Sequence, residues 1–293
     1  MIDARAFIRN GAIKPSRGLG QCFLTDANVA KRVVDAAELT PGDHVVEVGP
    51  GVCALTALLC ERAGTVIAVE IDGRLTETIK AATAAYDNFV LIQSDFLKVD
   101  AGALRPPATS MAAPRRAVFV SNIPYYISTH ILTRLFEELT FINRAVVMMQ
   151  KEVAGKLLAK PSTAQYCMLS LFAGLYCKPE KLFSVTPQSF APQPKVDSAV
   201  VLLDARTAPS GLFDSERAAV ERNMYFRIVR ASFSNRRKTL ENVLIHSGLA
   251  EDRARASDLV KSAGVAEKAR GESLDVYEFA ALARVLAAGE TPQ

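Results

Sequence analysis

The first two-thirds of the chain alternates between short apolar runs and longer stretches with apolar residues three and four apart. HVVEV (44–48), TVIAVE (65–70), FVLIQ (89–93), AVFVSN (117–122) and RAVVMMQ (144–150) predict strands. Between them, CALTALLCERA (53–63) and GRLTETIKAATAA (73–85) have the composition and spacing of helices. That alternation predicts an α/β fold with a parallel, doubly wound sheet. KLFSV (181–185) and SAVVLLD (198–204) lie close enough across a Pro-rich loop to predict an antiparallel pair at an edge. After about Thr207 the strand signal stops. Residues 214–233, 235–246, 251–262 and 274–287 read as helices, with Ser273 the expected N-cap of the last. The chain therefore divides into an α/β domain with an N-terminal arm (1–206) and a small all-helical domain (207–293). DAGALRPPATSMAAPRRA (100–117) reads as a long surface loop and GETPQ (289–293) as a frayed tail.

Chemistry enters at the strand ends. In VVEVGPGVCALT (45–56) an apolar strand runs into Gly49-Pro50-Gly51 and then a helix. Glycines there let the backbone approach a ligand at the C-terminal edge of the sheet, where open α/β folds bind ligands. Ala54 takes the place of a third glycine, so a tight turn explains the motif equally well. Glu70 ends the next strand, about 20 residues on, where an acid can accept hydrogen bonds from both ribose hydroxyls. Asp95 ends the third strand, and with Phe96 beside it suits an adenine amino group and ring. Each acid could instead cap a helix, but three consecutive strand ends carrying Gly, Glu and Asp favour a nucleoside ligand. They leave open whether that ligand is a nicotinamide cofactor or S-adenosylmethionine.

Composition narrows the class. With 293 residues, 49% of them hydrophobic and 23% charged, the chain reads as globular, and no apolar stretch approaches the roughly 18 residues of a membrane span. The N-terminus has no apolar signal core, so a cytoplasmic location is expected. Five cysteines without a C-x-x-C pair and three scattered histidines predict neither a disulfide framework nor a metal site. A net charge of +4 hides two one-sign segments. Arg5, Arg9, Lys14 and Arg17 stand in one, and Arg227, Arg230, Arg236, Arg237 and Lys238 in the other. Either could be a solvated face, and together they could face an anion.

SNIPYYIS (121–128) decides between the cofactors. The lone pair of an exocyclic base amine is delocalised into its ring, so methylating it is hard. Acceptors for the amino hydrogens favour a tetrahedral, more nucleophilic nitrogen. The Asn122 side-chain oxygen and the Ile123 carbonyl are suited to that, Pro124 stiffens the turn that aims them, and Tyr125 can stack on the base. A plain strand-to-turn junction accounts for Asn122 and Pro124 but not for the aromatics.

With these motifs in hand, nearly the whole chain resembles the rRNA adenine N6-dimethyltransferases, most closely the branch acting on bacterial small-subunit (16S) rRNA. GQCFLTD (20–26), VVEVGPG, VEID (69–72), SDFL (94–97), SNIPYYIS, MMQKEVAGKL (148–157), TPQSFAPQPKVDSAVV (186–201) and FSNRRKTLEN (233–242) carry the resemblance. It implies a Rossmann-like S-adenosylmethionine-dependent methyltransferase sheet with a C-terminal helical domain for RNA recognition. It also implies S-adenosylmethionine bound through Cys22, Leu24, Gly49, Gly51, Glu70, Ile71, Asp95, Phe96 and Asn122. Asn122, Pro124 and Tyr125 are then catalytic, with Phe190 sandwiching the target adenine opposite Tyr125. The family methylates two adjacent adenines near the 3′ end of small-subunit rRNA, within an immature ribosomal subunit. Arg236, Arg237 and Lys238 would contact RNA phosphates, and a monomer away from membranes is expected. Two positions depart from the family: Cys22 stands where Asn is usual, and Tyr126 where Asn is common.

Three other readings are weaker. A resistance methyltransferase of large-subunit rRNA shares the pocket but fits PQPKVDSAVV and NRRKT less well. A non-enzymatic assembly factor would not need Glu70, Asp95 and Asn122 intact. A nicotinamide oxidoreductase lacks a proton- or hydride-transfer group near the glycine turn.

Overall fold

The computed structural model describes residues 14–16, 18–106, 116–213 and 216–288. Arg5, Arg9, Arg17, residues 107–115 of the 100–117 loop and the GETPQ tail lie outside them. The described residues fold as two compact units. One takes in the chain up to Ala154 with Pro179–Arg206, and the other Gly155–Lys178 with the chain from Thr207 onward. The excursion 155–178 thus packs with the helical part, a membership that apolar periodicity does not reveal.

In the first unit the arm supplies β1 (Phe23–Leu24), followed by α1 (Ala27–Ala36) and β2 (His44–Val48). Next come α2 (Thr56–Cys60), β3 (Thr65–Glu70), α3 (Thr76–Thr83) and β4 (Phe89–Gln93). β5 (Ala117–Asn122), α4 (Ser128–Glu137) and β6 (Ile142–Gln150) complete the parallel part. After α5 (Lys151–Leu157) and α6 (Met168–Tyr176), the chain returns as β7 (Glu180–Val185), β8 (Phe190–Ala191) and β9 (Ser198–Asp204).

Seven strands form one sheet in the order β4-β3-β2-β5-β6-β9-β7. The pairs from β4 to β6 are parallel and those that β9 makes with β6 and β7 are antiparallel. The predicted antiparallel pair is therefore present, with β7 at the edge. Central β2 is buried at every position, as a strand covered on both faces must be. The strand order reverses between β2 and β5, whose C-terminal ends carry the glycine turn and Asn122. That reversal is where open α/β sheets leave a crevice for ligands.

Both early helices are shorter than periodicity predicts. Residues 51–55 are turns ahead of α2, and Gly73–Leu75 is a 3-10 turn, capped by Asp72, ahead of α3. The start of the 100–117 segment is not free surface. Asp100 caps a 3-10 turn at Ala101–Leu104, Leu104 is buried, and its carbonyl meets buried His44 Nε2 at 2.9 Å.

The second unit holds α7 (Ala218–Ser234), α8 (Leu240–His246), α9 (Arg253–Ser262) and α10 (Val276–Ala288). Its core is built from the apolar faces of α6, α7 and α10, where Phe172, Tyr225, Phe226 and Phe279 meet edge to face. The cap of α10 is Asp275, not Ser273. Asp275 Oδ1 accepts from the Tyr277 and Glu278 backbones, and Glu278 returns a bond to the Asp275 N–H at 2.9 Å. Ser273 instead ends a 3-10 turn and donates to the Arg270 carbonyl. A reciprocal capping box outcompetes a lone serine two residues upstream. Among the described residues no helix is long and apolar enough to cross a membrane.

Candidate active site

The glycine turn is shaped by the arm. Gly49 and Gly51 have φ of +67° and +57°, the left-handed region that favours glycine. A Cβ on Gly51 would stand 2.9 Å from the Phe23 ring, so the arm packs directly on the turn. β1 is held there by pairing with β8, Phe23 against Ala191 and Leu24 against Phe190. Next to this ladder, Thr25 N–H donates to the Ser189 carbonyl at 2.8 Å, and Ser189 Oγ donates to Asp26 at 3.2 Å. Asp26 in turn caps α1. GQCFLTD and TPQSF, far apart in sequence, thus form one small structure beside the turn.

Glu70 lies at the end of β3, 5% exposed. Its carboxylate accepts the Asp72 N–H at 2.9 Å and the Gly51 N–H at 3.3 Å. Burial raises its pKa, and the backbone donors oppose that. Asp72 beside it is held down to about 2, first by Arg74 at 2.6 Å and also by Gln21 at 2.8 Å. Gln21 Oε1 accepts the Ser16 N–H at 2.7 Å, so one side chain joins the arm to the end of β3.

Asn122 ends β5, with β2 between it and β3. Its Nδ2 donates to the Cys22 carbonyl at 3.4 Å, while its Oδ1 is buried with no protein partner. A buried acceptor left unpaired costs about 1–3 kcal/mol, and native structures keep such atoms where a ligand or mechanism needs them. The surrounding turn is stiff: Ser128 Oγ donates to the Pro124 carbonyl, and Ser121 Oγ to the Val48 carbonyl at 2.6 Å. Tyr125 is half-buried, its hydroxyl 2.6 Å from Ser198 Oγ, and burial pushes its pKa up to about 12.

One cavity unites these groups. Leu24, Gly49, Gly51, Glu70, Asn122 and Tyr125 line it, as do Cys22, Ile71 and Pro124. Glu47 lines it too, and sequence reasoning missed it. The signal was available, since an acid in the middle of the apolar strand HVVEV calls for a reason. Burial pushes its carboxyl up to about 8, offset in part by the Thr56 hydroxyl and increased by Glu70, and its Oε2 has no partner. Strongly perturbed groups gathered in a cleft mark functional sites.

Three predicted residues stand apart from the cavity lining. Asp95 caps the next turn through the Leu97 N–H at 3.0 Å. The Phe96 ring is buried edge-on to Phe119 and beneath the Arg134 guanidinium. Phe190 is 1% exposed and belongs to the core, so the cavity has one predicted aromatic face, Tyr125, and not a facing pair. In the second unit Arg236, Arg237 and Lys238 form an exposed turn before α8. Arg236 is engaged there with Glu272 at 3.3 Å and the Tyr166 carbonyl at 3.2 Å.

The sequence profile of the ribosomal RNA adenine dimethylase family matches residues 13–282. The chain belongs to that family. Among its relatives, a ribosomal RNA small subunit methyltransferase A from Geobacillus kaustophilus is 40% identical, over 92% of this chain and 90% of its own length. One of the same name from Pelotomaculum thermopropionicum is also 40% identical, over 95% and 94%. Among solved structures, a dimethyladenosine transferase from Plasmodium falciparum superposes with a TM-score of 0.70 at 25% identity, covering 89% of this chain and 95% of the other. The 23S rRNA methyltransferase ErmE gives 0.63 at 28% identity, over 90% and 99%. Family membership accounts for a Rossmann-like sheet followed by helices, and makes the chain an S-adenosylmethionine-dependent rRNA-modifying enzyme.

Proposed function

We propose that this enzyme transfers methyl groups to N6 of two adjacent adenines near the 3′ end of small-subunit (16S) rRNA, giving dimethyladenosines while the subunit is immature. The observation that carries the reading is the Asn122 carboxamide, whose nitrogen is held by the arm and whose buried oxygen lacks a partner. That oxygen accepts one N6 hydrogen and the Ile123 carbonyl the other, drawing the nitrogen toward a tetrahedral form with a free lone pair. Tyr125 holds the flipped base by its ring face, and Pro124 keeps the acceptors aimed. No general base is required, because the nitrogen sheds its proton readily once it is cationic.

The cavity suits S-adenosylmethionine, which supplies an electrophilic methyl group on a sulfonium. Glu70 keeps acceptor sites beyond those taken by the two backbone N–H groups, and these serve the ribose hydroxyls. Gly49 and Gly51 permit close backbone approach, Leu24 and Ile71 give apolar walls, and Cys22 lines the cavity with them. Asp95, at the next strand end and outside the cavity lining, would serve the adenine amino group through the carboxylate oxygen that does not cap the turn, with Phe96 limited to its backbone by the burial of its ring. In the helical unit Arg237 and Lys238, joined by Arg236, hold RNA phosphates. On this reading the protein works in the cytoplasm as a monomer, away from membranes.

The likeness to ErmE supports a second reading, methylation of large-subunit rRNA. The 40% identity to small-subunit enzymes over nearly full length favours the first. Immature small-subunit particles and stripped large-subunit rRNA, each incubated with methyl-labelled cofactor, separate the two. Mass spectrometry should find dimethyladenosine in the former, and label confined to the latter would reverse the assignment.

A further inference from the structure

The proposed function leaves Ser198 without a role, although the PKVDSAVV motif that contains it is among the most telling in the chain. Ser198 opens β9 and is fully buried, in register with Gln150 of β6 and Val185 of β7. Its neighbour Asp197 is fixed as well: the Asp197 carbonyl accepts the Lys151 N–H at 2.9 Å, and Lys151 Nζ lies 3.8 Å from the Asp197 carboxylate. The serine hydroxyl does not turn back on its own backbone. It meets the Tyr125 hydroxyl at 2.6 Å, across 73 residues of chain and from the antiparallel side of the sheet.

Tyr125 is therefore held at both ends. At its Cβ end the Pro124 turn is stiffened by Ser128, whose Oγ donates to the Pro124 carbonyl at 2.9 Å and lies 3.2 Å from the Tyr125 carbonyl. At the far end the phenol is tied to a buried hydroxyl on β9, a strand paired on both sides. A ring gripped only by its backbone keeps rotamer freedom about its first side-chain torsion, and a bond at the hydroxyl removes it. Burial keeps the phenol neutral, so it can both donate and accept across neutral pH. Stacking alone would not need the hydroxyl, since a phenylalanine has the same face. The tyrosine is explained once its tip has a partner that sets the ring axis.

We propose that Ser198 is a positioning residue for base recognition, its hydroxyl fixing the axis of the Tyr125 ring so that the ring face is presented to the target adenine. The inference rests on the proposed function, because it needs a base in the cavity. Ser198→Ala and Tyr125→Phe cut the same bond from opposite sides, and Tyr125→Phe changes no side chain of β9. Each should slow single-turnover methylation of immature small-subunit particles by roughly 3- to 10-fold, the factor one ordinary hydrogen bond represents. Cofactor affinity should not change. The double variant should be no slower than either single one, and Ser198→Thr, which restores a hydroxyl, should recover most of the rate. Full activity in Tyr125→Phe, multiplied losses in the double variant, or an equal loss of cofactor affinity would overturn the assignment. A wild-type enzyme that methylates no adenine in these particles would overturn the proposed function instead.

Discussion

Replacing Asn122 with alanine should cut activity sharply without weakening the fold, and the two signs together test its assignment. The wild-type protein carries a buried, unpaired Oδ1, which costs about 1–3 kcal/mol. Alanine removes that cost. It also removes the bond from Nδ2 to the Cys22 carbonyl, which at 3.4 Å is long and worth about 0.5–1 kcal/mol. The space left adjoins a cavity, so water can refill it and the usual cavity penalty is small. The net change in stability lies between zero and about 2.5 kcal/mol in the variant's favour, a rise in Tm of no more than several degrees for a chain of this size. Catalysis loses an acceptor that matters most as the amine rehybridises. By comparison with deletion of one oxyanion-hole donor, the rate should fall about 10²- to 10³-fold. Differential scanning calorimetry, cofactor titration and single-turnover methylation on one preparation measure all three quantities. A variant with the wild-type single-turnover rate, or one whose lost activity matches a lost fold, would refute the reasoning.

Two further outcomes test other parts of the site. Glu47 has a folded pKa of about 8, above its ordinary value of 4.5, so its stabilising contribution is complete below about pH 4 and is lost as pH rises to 8. Compared with Glu47→Gln, the wild type should lose a few kcal/mol across that window, and parallel thermal-midpoint curves for the two proteins would contradict the buried acid. Replacing Arg236, Arg237 and Lys238 with alanine should make the affinity for immature subunits less salt-dependent, by up to about 0.9 in log–log slope per phosphate contact on a duplex-like site. Cofactor affinity should stay the same, and an unchanged slope in filter-binding measurements would return the cluster to a solvated face.

How much of this was legible depends on the range of the interactions. The inner sheet strands were readable because a strand covered on both faces has to be an apolar run, as HVVEV, TVIAVE and AVFVSN are, while the edge strands β4 and β7, largely uncovered, were readable as short apolar runs between breaks. The acids at strand ends were readable because parallel sheets gather their chemistry at one edge. α4 was not predicted, although Ile131, Leu132, Leu135 and Phe136 are buried at helical spacing. The β1–β8 ladder could not be read, because two-residue strands have no period and their pairing spans the whole α/β unit. Phe190 illustrates the consequence. A Pro-flanked loop suggests an exposed ring, but pairing with Leu24 turns that ring into the core. Which of two nearby polar residues caps α10 depended on the reciprocal partner, Glu278, and not on the cap alone.

The same long-range ladder explains how the family's usual asparagine can be a cysteine at position 22. What this residue gives Asn122 is its backbone carbonyl, and any side chain supplies that. The Cys22 thiol lines the cavity and is half-buried, with burial raising its pKa, so at neutral pH it is a protonated, weak hydrogen-bonding group. An amide in the lining of a polar ligand's site can do more. Cys22→Asn should tighten S-adenosylmethionine binding by about 0.5–1.5 kcal/mol, the net value of one ordinary hydrogen bond. The single-turnover rate at saturating cofactor should not move, because the carbonyl that orients Asn122 is unchanged. Titrating both proteins at one pH and salt, then measuring single turnover, separates the side chain's contribution from the backbone's. Weaker or equal binding in the asparagine variant would mean that this segment meets the cofactor only through its main chain. A changed rate would mean that the Cys22 side chain, and not just its carbonyl, sets the geometry of Asn122.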